Sequence, residues 1–122
     1  MSKALENVKF RGSEVELQNM TLVIPPLNFK AFREHGALKK LQVVIDGMKK
    51  LQVTQAFDLP DAVLDAAVEL TFLAAKRNYP DISKEQIEEG LDFDNIGDVI
   101  PKLVTKNNTH LIKQFADQAK NE

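Results

Sequence analysis

The sequence predicts a mainly α-helical protein: a single compact domain of about four to five helices around a buried central helix at residues 60–77, with an N-terminal β-hairpin. Its 122 residues are close to the commonest length of one domain. Apolar residues make up 43% and charged residues 28%, the balance of an ordinary soluble globule. We interpret residues 1–122 as one domain, within which the spacing of apolar residues changes along the chain. This spacing predicts an extended hairpin over 6–27, a helical core over 28–105 and a polar, amphipathic tail over 106–122.

The N-terminal part of the chain carries the alternation that is typical of half-buried strands. Apolar and polar side chains alternate over residues 8–10 and again over 15–17. Gly12 lies between the two runs, where the turn of a hairpin favours a positive φ. A further apolar, β-branched run at 20–24 is ended by two prolines, because proline donates no N–H to a sheet. We therefore expect a hairpin that turns near Gly12, and the run at 20–24 is compatible with a third short strand.

Helical spacing begins at Asn28, whose side chain is suited to cap a short first helix. His35 and Gly36 interrupt it, and a clearer second helix is predicted from Ala37 to about Leu51. The apolar stripe of this second helix is formed by Leu38, Leu41, Ile45 and Met48. We expect this stripe to face the core.

Pro60 and Asp61 open the strongest helix of the chain, because proline is tolerated in the first turn and an acidic residue is favoured at the positive end of the helix dipole. Asp61, Asp65 and Glu69 follow one another at a spacing of four, which places them on one polar stripe. Nearly every other side chain through Ala75 is apolar or small. We therefore expect this helix to be buried on most sides, and we interpret its acidic stripe as a solvent face.

Two polar caps and a proline organise the C-terminal part of the predicted core. Ser83 and Gln86 form the pattern of a capping box, which predicts a short helix behind them. Asn95 is placed to cap the last apolar segment, and Pro101 inside that segment is expected to kink or split it. The amphipathic tail beyond it either docks on the core or stays free.

The sequence offers no constellation for catalysis or for binding a metal or a cofactor. It has no cysteine, and its two histidines, His35 and His110, do not stand at a metal-ligand spacing. Its five glycines never cluster into a phosphate-binding loop. No apolar run is long enough for a signal peptide or a bilayer crossing. We therefore expect a soluble, unexported protein that is not an enzyme, uses no cofactor and has no membrane contact.

The charge balance argues against nucleic acid as a partner. The 16 basic and 18 acidic residues nearly cancel, whereas a nucleic-acid binder usually carries a basic stripe. Two lysine pairs, Lys39-Lys40 and Lys49-Lys50, can share a face of the second helix, which we interpret as a solvated face. A small helical DNA-binding regulator that uses these lysines is the weakest alternative function.

Residues 77–88, with the sequence Arg-Asn-Tyr-Pro-Asp-Ile-Ser-Lys-Glu-Gln-Ile-Glu, are the most distinctive motif in the chain. The downstream residues that continue this motif are Leu91, Asp92, Asn95, Val99 and Ile100. Together with the Thr-Leu-Val-Ile-Pro-Pro segment at 21–26, the motif resembles the tail assembly chaperones of lambdoid long-tailed bacteriophages, or siphophages, over roughly residues 6–105. The chain departs from the family pattern at Pro101, which lies inside the last helix. The motif residues that we expect to be structural are Asn78, Tyr79, Pro80, Asp81 and Ser83.

The resemblance implies a non-catalytic chaperone in the cytoplasm of an infected cell or lysogen, absent from the mature virion. Such a protein would bind the tape measure protein, keep it soluble and promote assembly of the tail tube around it. Its partners would be the tape measure protein, the tail tube protein, further copies of itself and, in many such phages, a frameshift-extended form of the same chain. A different phage morphogenetic component, either a head–tail connector or a tail terminator, is the first alternative.

Binding to the apolar stripe of a long helical partner requires exposed apolar surface. Three segments supply such side chains: the first helix, the linker before residue 60 and the tail. The candidate partner-binding residues are Phe29, Phe32, Phe57, Leu59, Leu111, Ile112 and Phe115. Packing inside the core is the commoner role of such side chains, and that alternative stays open for each of them.

Overall fold

Two antiparallel strands and five helices follow one another in the computed structural model, which describes residues 9–54 and 59–104. The elements are β1 (Ser13–Glu16), β2 (Thr21–Ile24), α1 (Phe29–Glu34), α2 (Ala37–Thr54), α3 (Asp61–Ala75), α4 (Lys84–Gly90) and α5 (Ile96–Lys102). They enclose one core, to which both strands and all five helices contribute. The prediction of a mainly helical, single small domain with an N-terminal hairpin is therefore confirmed.

The hairpin turns later than the sequence suggested. β1 and β2 pair antiparallel with Ser13 opposite Ile24, and the Leu17 N–H closes the turn by donating to the Met20 carbonyl at 2.8 Å. The turn at Gly12 was therefore a wrong prediction, and the run at 20–24 is the second strand rather than a third. Lys9 and Phe10 form a bend instead of a strand.

Gly12 does not have the positive φ that the sequence suggested; among the described residues, the glycine with positive φ is Gly36. What requires glycine at position 12 is close packing. A Cβ on Gly12 would overlap the Ile24 carbonyl carbon and the Pro25 nitrogen. Gly36, with φ 61°, separates α1 from α2, as the sequence predicted. α1 begins at the predicted cap, where the Asn28 side chain accepts a hydrogen bond from the Ala31 N–H at 3.0 Å.

α2 buries a different stripe from the one that the sequence indicated. Leu38 is 60% exposed and Ile45 is half-buried, so the predicted stripe was only partly right. The buried hydrophobic side chains of this helix are Ala37, Leu41 and Val44. The helix is turned in this way because Gly47 faces α3, where an added Cβ would approach the Val63 side chain to 2.8 Å.

α3 is the central helix, but it is enclosed unevenly. Its buried residues are Val63, Ala66, Ala67, Leu70, Thr71, Ala74 and Ala75. Thr71 satisfies its hydroxyl by donating to the Ala67 carbonyl at 2.8 Å. Asp61 and Asp65 are exposed as expected, and Glu69 forms a salt bridge with Lys84 at the start of α4. Leu64, however, is 45% exposed, so the prediction of burial on most sides holds only for the second half of the helix.

α4 has the predicted capping box. The Ser83 side chain accepts a hydrogen bond from the Gln86 N–H at 3.1 Å, and the Gln86 side chain accepts one from the Ser83 N–H at 3.0 Å. The hairpin turn is hydrogen-bonded to the C-terminal end of α4, because the Gln18 N–H donates to the Gly90 carbonyl at 3.0 Å.

The last segment corrects two expectations. Asn95 makes no side-chain cap to α5; its buried amide donates to the Gly90 carbonyl at 2.8 Å and accepts from the Asp92 N–H at 2.9 Å. Asn95 therefore ties the loop after α4 together. Of the two expected effects, kinking and splitting, Pro101 does not split α5, which ends one residue after it. Proline has no N–H to donate to the carbonyl one turn earlier, and its position close to the end of α5 limits this loss to a single hydrogen bond.

Candidate partner-binding groove

An apolar groove of about 330 Å³ lies between α2, α3 and the segment that joins α4 to α5. Its apolar lining consists of Val44, Met48, Leu59, Val63, Leu64, Ala67, Val68, Leu91, Phe93 and Ile96. Two acidic residues, Glu88 and Asp92, complete the lining. We call this feature the partner groove.

The floor of the partner groove is continuous with the core. Val44, Val63 and Ala67 are buried, and they come from α2 and α3, which are in close contact at Gly47 and Val63. Because interiors are packed to high density, a floor made of core residues has a fixed shape before any ligand arrives. The floor therefore offers a preformed apolar surface, which lowers the entropic cost of binding.

The two edges of the partner groove expose large apolar side chains. Leu64 projects from the open half of α3 with 45% of its surface exposed, and Phe93 on the opposite side is 47% exposed. Phe93 lies in a loop whose backbone is held by Asp92: its carboxylate accepts hydrogen bonds from the N–H groups of Asp94 at 3.0 Å and Asn95 at 3.1 Å. Exposed apolar side chains on both edges of a concave surface are typical of a protein-binding site.

The charges at the partner groove are of one sign. Glu88 and Asp92 are exposed, and among the described residues no lysine, arginine or histidine contributes to the lining. Lys84, one turn before Glu88 on α4, is paired with Glu69 of α3. The groove is therefore an apolar trough with an acidic rim.

The structure brings one of the predicted partner-binding residues into the groove. Leu59 is half-buried and belongs to the lining. Phe29 is 86% exposed at the start of α1 but lies outside the lining, and Phe32 packs partly buried against the core. The remaining candidates, Phe57, Leu111, Ile112 and Phe115, lie outside the described residues.

Sequence reasoning missed the exposed large apolar side chains of the groove, Leu64 and Phe93. A signal for each was present. Leu64 belongs to a helix that has more apolar side chains than one buried face can accommodate. Phe93 stands between two aspartates, Asp92 and Asp94. An aromatic residue in an acidic loop is an unusual core residue, so Phe93 was recognisable as a candidate for an interface.

The motif residues at 78–83 stabilise the fold rather than line the groove. Asn78 is buried, and its side chain accepts from the N–H groups of Lys9 and Phe10 and donates to the carbonyls of Phe10 and Val23. The Tyr79 hydroxyl accepts a hydrogen bond from the Val23 N–H at 2.8 Å. Pro80 and Asp81 are exposed, and Ser83 caps α4.

The lysines of α2 do not form a uniform basic face. Lys40 donates to the His35 carbonyl at 2.6 Å, at the junction of α1 and α2, whereas Lys39 and Lys50 are exposed. Across residues 9–54 and 59–104, no group of three or more His, Cys, Asp or Glu side chains is arranged to hold a metal ion.

None of the helices in the described ranges combines the length and the apolar content needed to cross a membrane. The chemistry that the partner groove offers is burial of apolar side chains, with carboxylates at its edge. Comparisons with protein-family models, with curated proteins and with solved structures find no match to the chain.

Proposed function

We propose that this protein is a non-catalytic tail assembly chaperone, which binds the tape measure protein of a long-tailed phage in the host cytoplasm and promotes assembly of the tail tube around it. The observation that carries the proposal is the partner groove, because it is open to solvent, apolar and continuous with the core. The resemblance of residues 77–88 supports the identity of the partner. The tail tube protein, further copies of this chain and a frameshift-extended form are the other partners that the resemblance implies.

The groove suits the task physically. A long helical protein exposes an apolar stripe until its own assembly partners arrive, and exposed stripes drive aggregation. A helix can place that stripe into a groove of this kind through side chains at positions i, i+3, i+4 and i+7. The groove is too small to enclose a whole helix, so only the apolar stripe would enter it. Binding of this kind is reversible, as departure of a chaperone from the finished tail requires.

Leu64→Asp tests the proposal at an exposed apolar side chain of the groove. The substitution places a charge on the apolar edge, and we expect it to weaken binding to the tape measure protein by about tenfold or more. The measurement is the soluble fraction of a tape measure protein that is coexpressed with the full chain, together with the amount that copurifies.

Leu38→Asp is the matched control, since Leu38 is 60% exposed near the start of α2 and lies outside the groove lining. It makes the same chemical change and should leave binding unaltered. Equal unfolding midpoints of both variants would exclude a loss of fold. If Leu64→Asp keeps the tape measure protein soluble as well as the unaltered chain does, the groove is not its binding site.

Purified virions give a second test. A chaperone leaves before the particle is complete, whereas a head–tail connector or a tail terminator remains. We expect mass spectrometry of purified virions to lack peptides of this chain, and stoichiometric amounts of them would contradict the proposal.

A further inference from the structure

We propose that the partner groove selects an amphipathic helix whose apolar stripe is flanked by lysine or arginine, and that Glu88 and Asp92 recognise those basic residues. The inference deepens the proposed function and rests on it only for the identity of the partner chain. The basic character of the bound helix is inferred from the two carboxylates in the groove lining, and does not depend on which protein the helix belongs to.

Glu88 and Asp92 lie beside the apolar lining, where their carboxylates can form ion pairs with basic side chains of a bound helix. Glu88 and Leu91 are three residues apart at the end of α4, so they point to the same side of the chain, and both line the groove. Asp92 follows directly, and its carboxylate is oriented by the N–H groups of Asp94 and Asn95. Both acidic side chains thus stand next to the apolar lining, and the Asp92 carboxylate is held in place.

Among residues 9–54 and 59–104, no basic side chain forms a salt bridge with Glu88 or Asp92. Lys84 pairs with Glu69, and Lys102 pairs with Asp98 at 3.0 Å while also donating to the Glu14 carbonyl at 3.2 Å. A basic side chain from a partner can lay its aliphatic stem on the apolar edge and bring its charge to the carboxylates. An acidic partner helix would place like charges against the rim.

The expected size of the preference follows from the exposure of the rim. Ion pairs near the surface contribute modestly to affinity, but complementary charge sets specificity and speeds association. We therefore expect a preference of about tenfold for a basic over an acidic helix at low salt, which shrinks as salt screens the rim.

Two synthetic peptides of about 18 residues, long enough for several helical turns, test the inference on the full chain. Both carry the same leucine stripe; one has lysine and the other glutamate at the flanking positions. Their affinities are measured by fluorescence anisotropy at low and at physiological salt. Tighter binding of the lysine peptide, with a preference that falls as salt rises, is the expected result.

Glu88→Lys should abolish or invert the preference. Glu89→Lys is the matched control, because Glu89 is exposed on the same helix but does not line the groove. It changes the net charge equally and should keep the preference. Asp92→Asn retains an acceptor for the loop N–H groups and should reduce the preference without loss of fold.

Equal binding of the two peptides would overturn the inference. So would an equal effect of Glu88→Lys and Glu89→Lys, since the preference would then reflect net charge alone. Tighter binding of both peptides to a Phe115→Ser variant would assign the groove to the chain's own C-terminal segment and would also overturn it. Loss of tape measure binding in Leu64→Asp without any charge preference would leave the proposed function standing and this inference refuted.

Discussion

Replacing Asn78 with leucine is expected to lower the free energy of unfolding by about 3 kcal/mol. The Asn78 side chain is 6% exposed, and its oxygen accepts from the Lys9 N–H at 3.0 Å and from the Phe10 N–H at 2.6 Å. Its nitrogen donates to the carbonyls of Phe10 and Val23, both at 2.9 Å. Leucine has a similar volume but satisfies none of these backbone groups, and each partly buried group that loses its partner costs free energy.

Urea denaturation followed by circular dichroism measures the change in unfolding free energy. Asn19→Leu is the control, because Asn19 is exposed and, within the described residues, its side chain makes one hydrogen bond, which it donates to the Gln86 carbonyl at 3.1 Å. We expect that variant to lose less than about 1 kcal/mol. Similar losses in the two variants would show that the Asn78 bonds do not hold the N-terminal segment as the structure indicates.

Gly12→Ala is expected to destabilise the protein by about 2–3 kcal/mol. The added methyl group would overlap the carbonyl of Ile24 and the nitrogen of Pro25, which are backbone atoms in a segment that proline stiffens. Relief therefore requires movement of β2 or of the backbone at Gly12, and cannot come from a change of rotamer. Thermal and urea denaturation both measure the effect.

Gly97→Ala is the matched substitution with the opposite expected sign. Gly97 is exposed in α5, and a Cβ there would meet nothing within 4 Å. Alanine in an open helical position should stabilise the protein by about 0.5–1 kcal/mol. If both glycine variants shift stability in the same direction, close packing is not what requires glycine at position 12.

The hairpin illustrates what local pattern can and cannot predict. Alternation over residues 8–10 looked as strand-like as alternation over 15–17, so the sequence indicated a hairpin but misplaced its turn. The bend at Lys9 and Phe10 is held by Asn78, a residue more than sixty positions away in the chain. No local period contains that contact, and the choice between the two registers therefore required the tertiary structure.

The face of α2 was mispredicted for a similar reason. Leu38 and Val44 are both apolar, and helical spacing alone accommodates either in the buried stripe. The orientation of the helix is set by the close approach of Gly47 to Val63 on α3. By contrast, the caps at Asn28 and Ser83 were predicted correctly, because both ends of each capping bond lie within one helical turn.

The partner groove was largely beyond sequence reasoning. It is assembled from four helices and their connections, and most of its apolar lining looks like core when each segment is taken separately. Of the residues proposed from sequence, Leu59 lies in it. What distinguishes Leu64 from Val63 is its exposure, 45% against 8%, which the sequence of the helix alone does not give.

The hydrogen bonds between the two ends of the described chain have a consequence for synthesis. The Leu27 N–H donates to the Leu103 carbonyl at 2.7 Å, and Lys102 reaches the Glu14 carbonyl. A nascent chain emerges from its N-terminus, so the hairpin leaves the ribosome well before the residues that cover it. α2 and α3 can pack as soon as both are made, whereas the hydrogen bonds of Leu27 and Glu14 to the last segment must wait for residues 102 and 103. A translational pause between α3 and α4 would prolong the exposure of the hairpin and favour its pairing with other nascent chains.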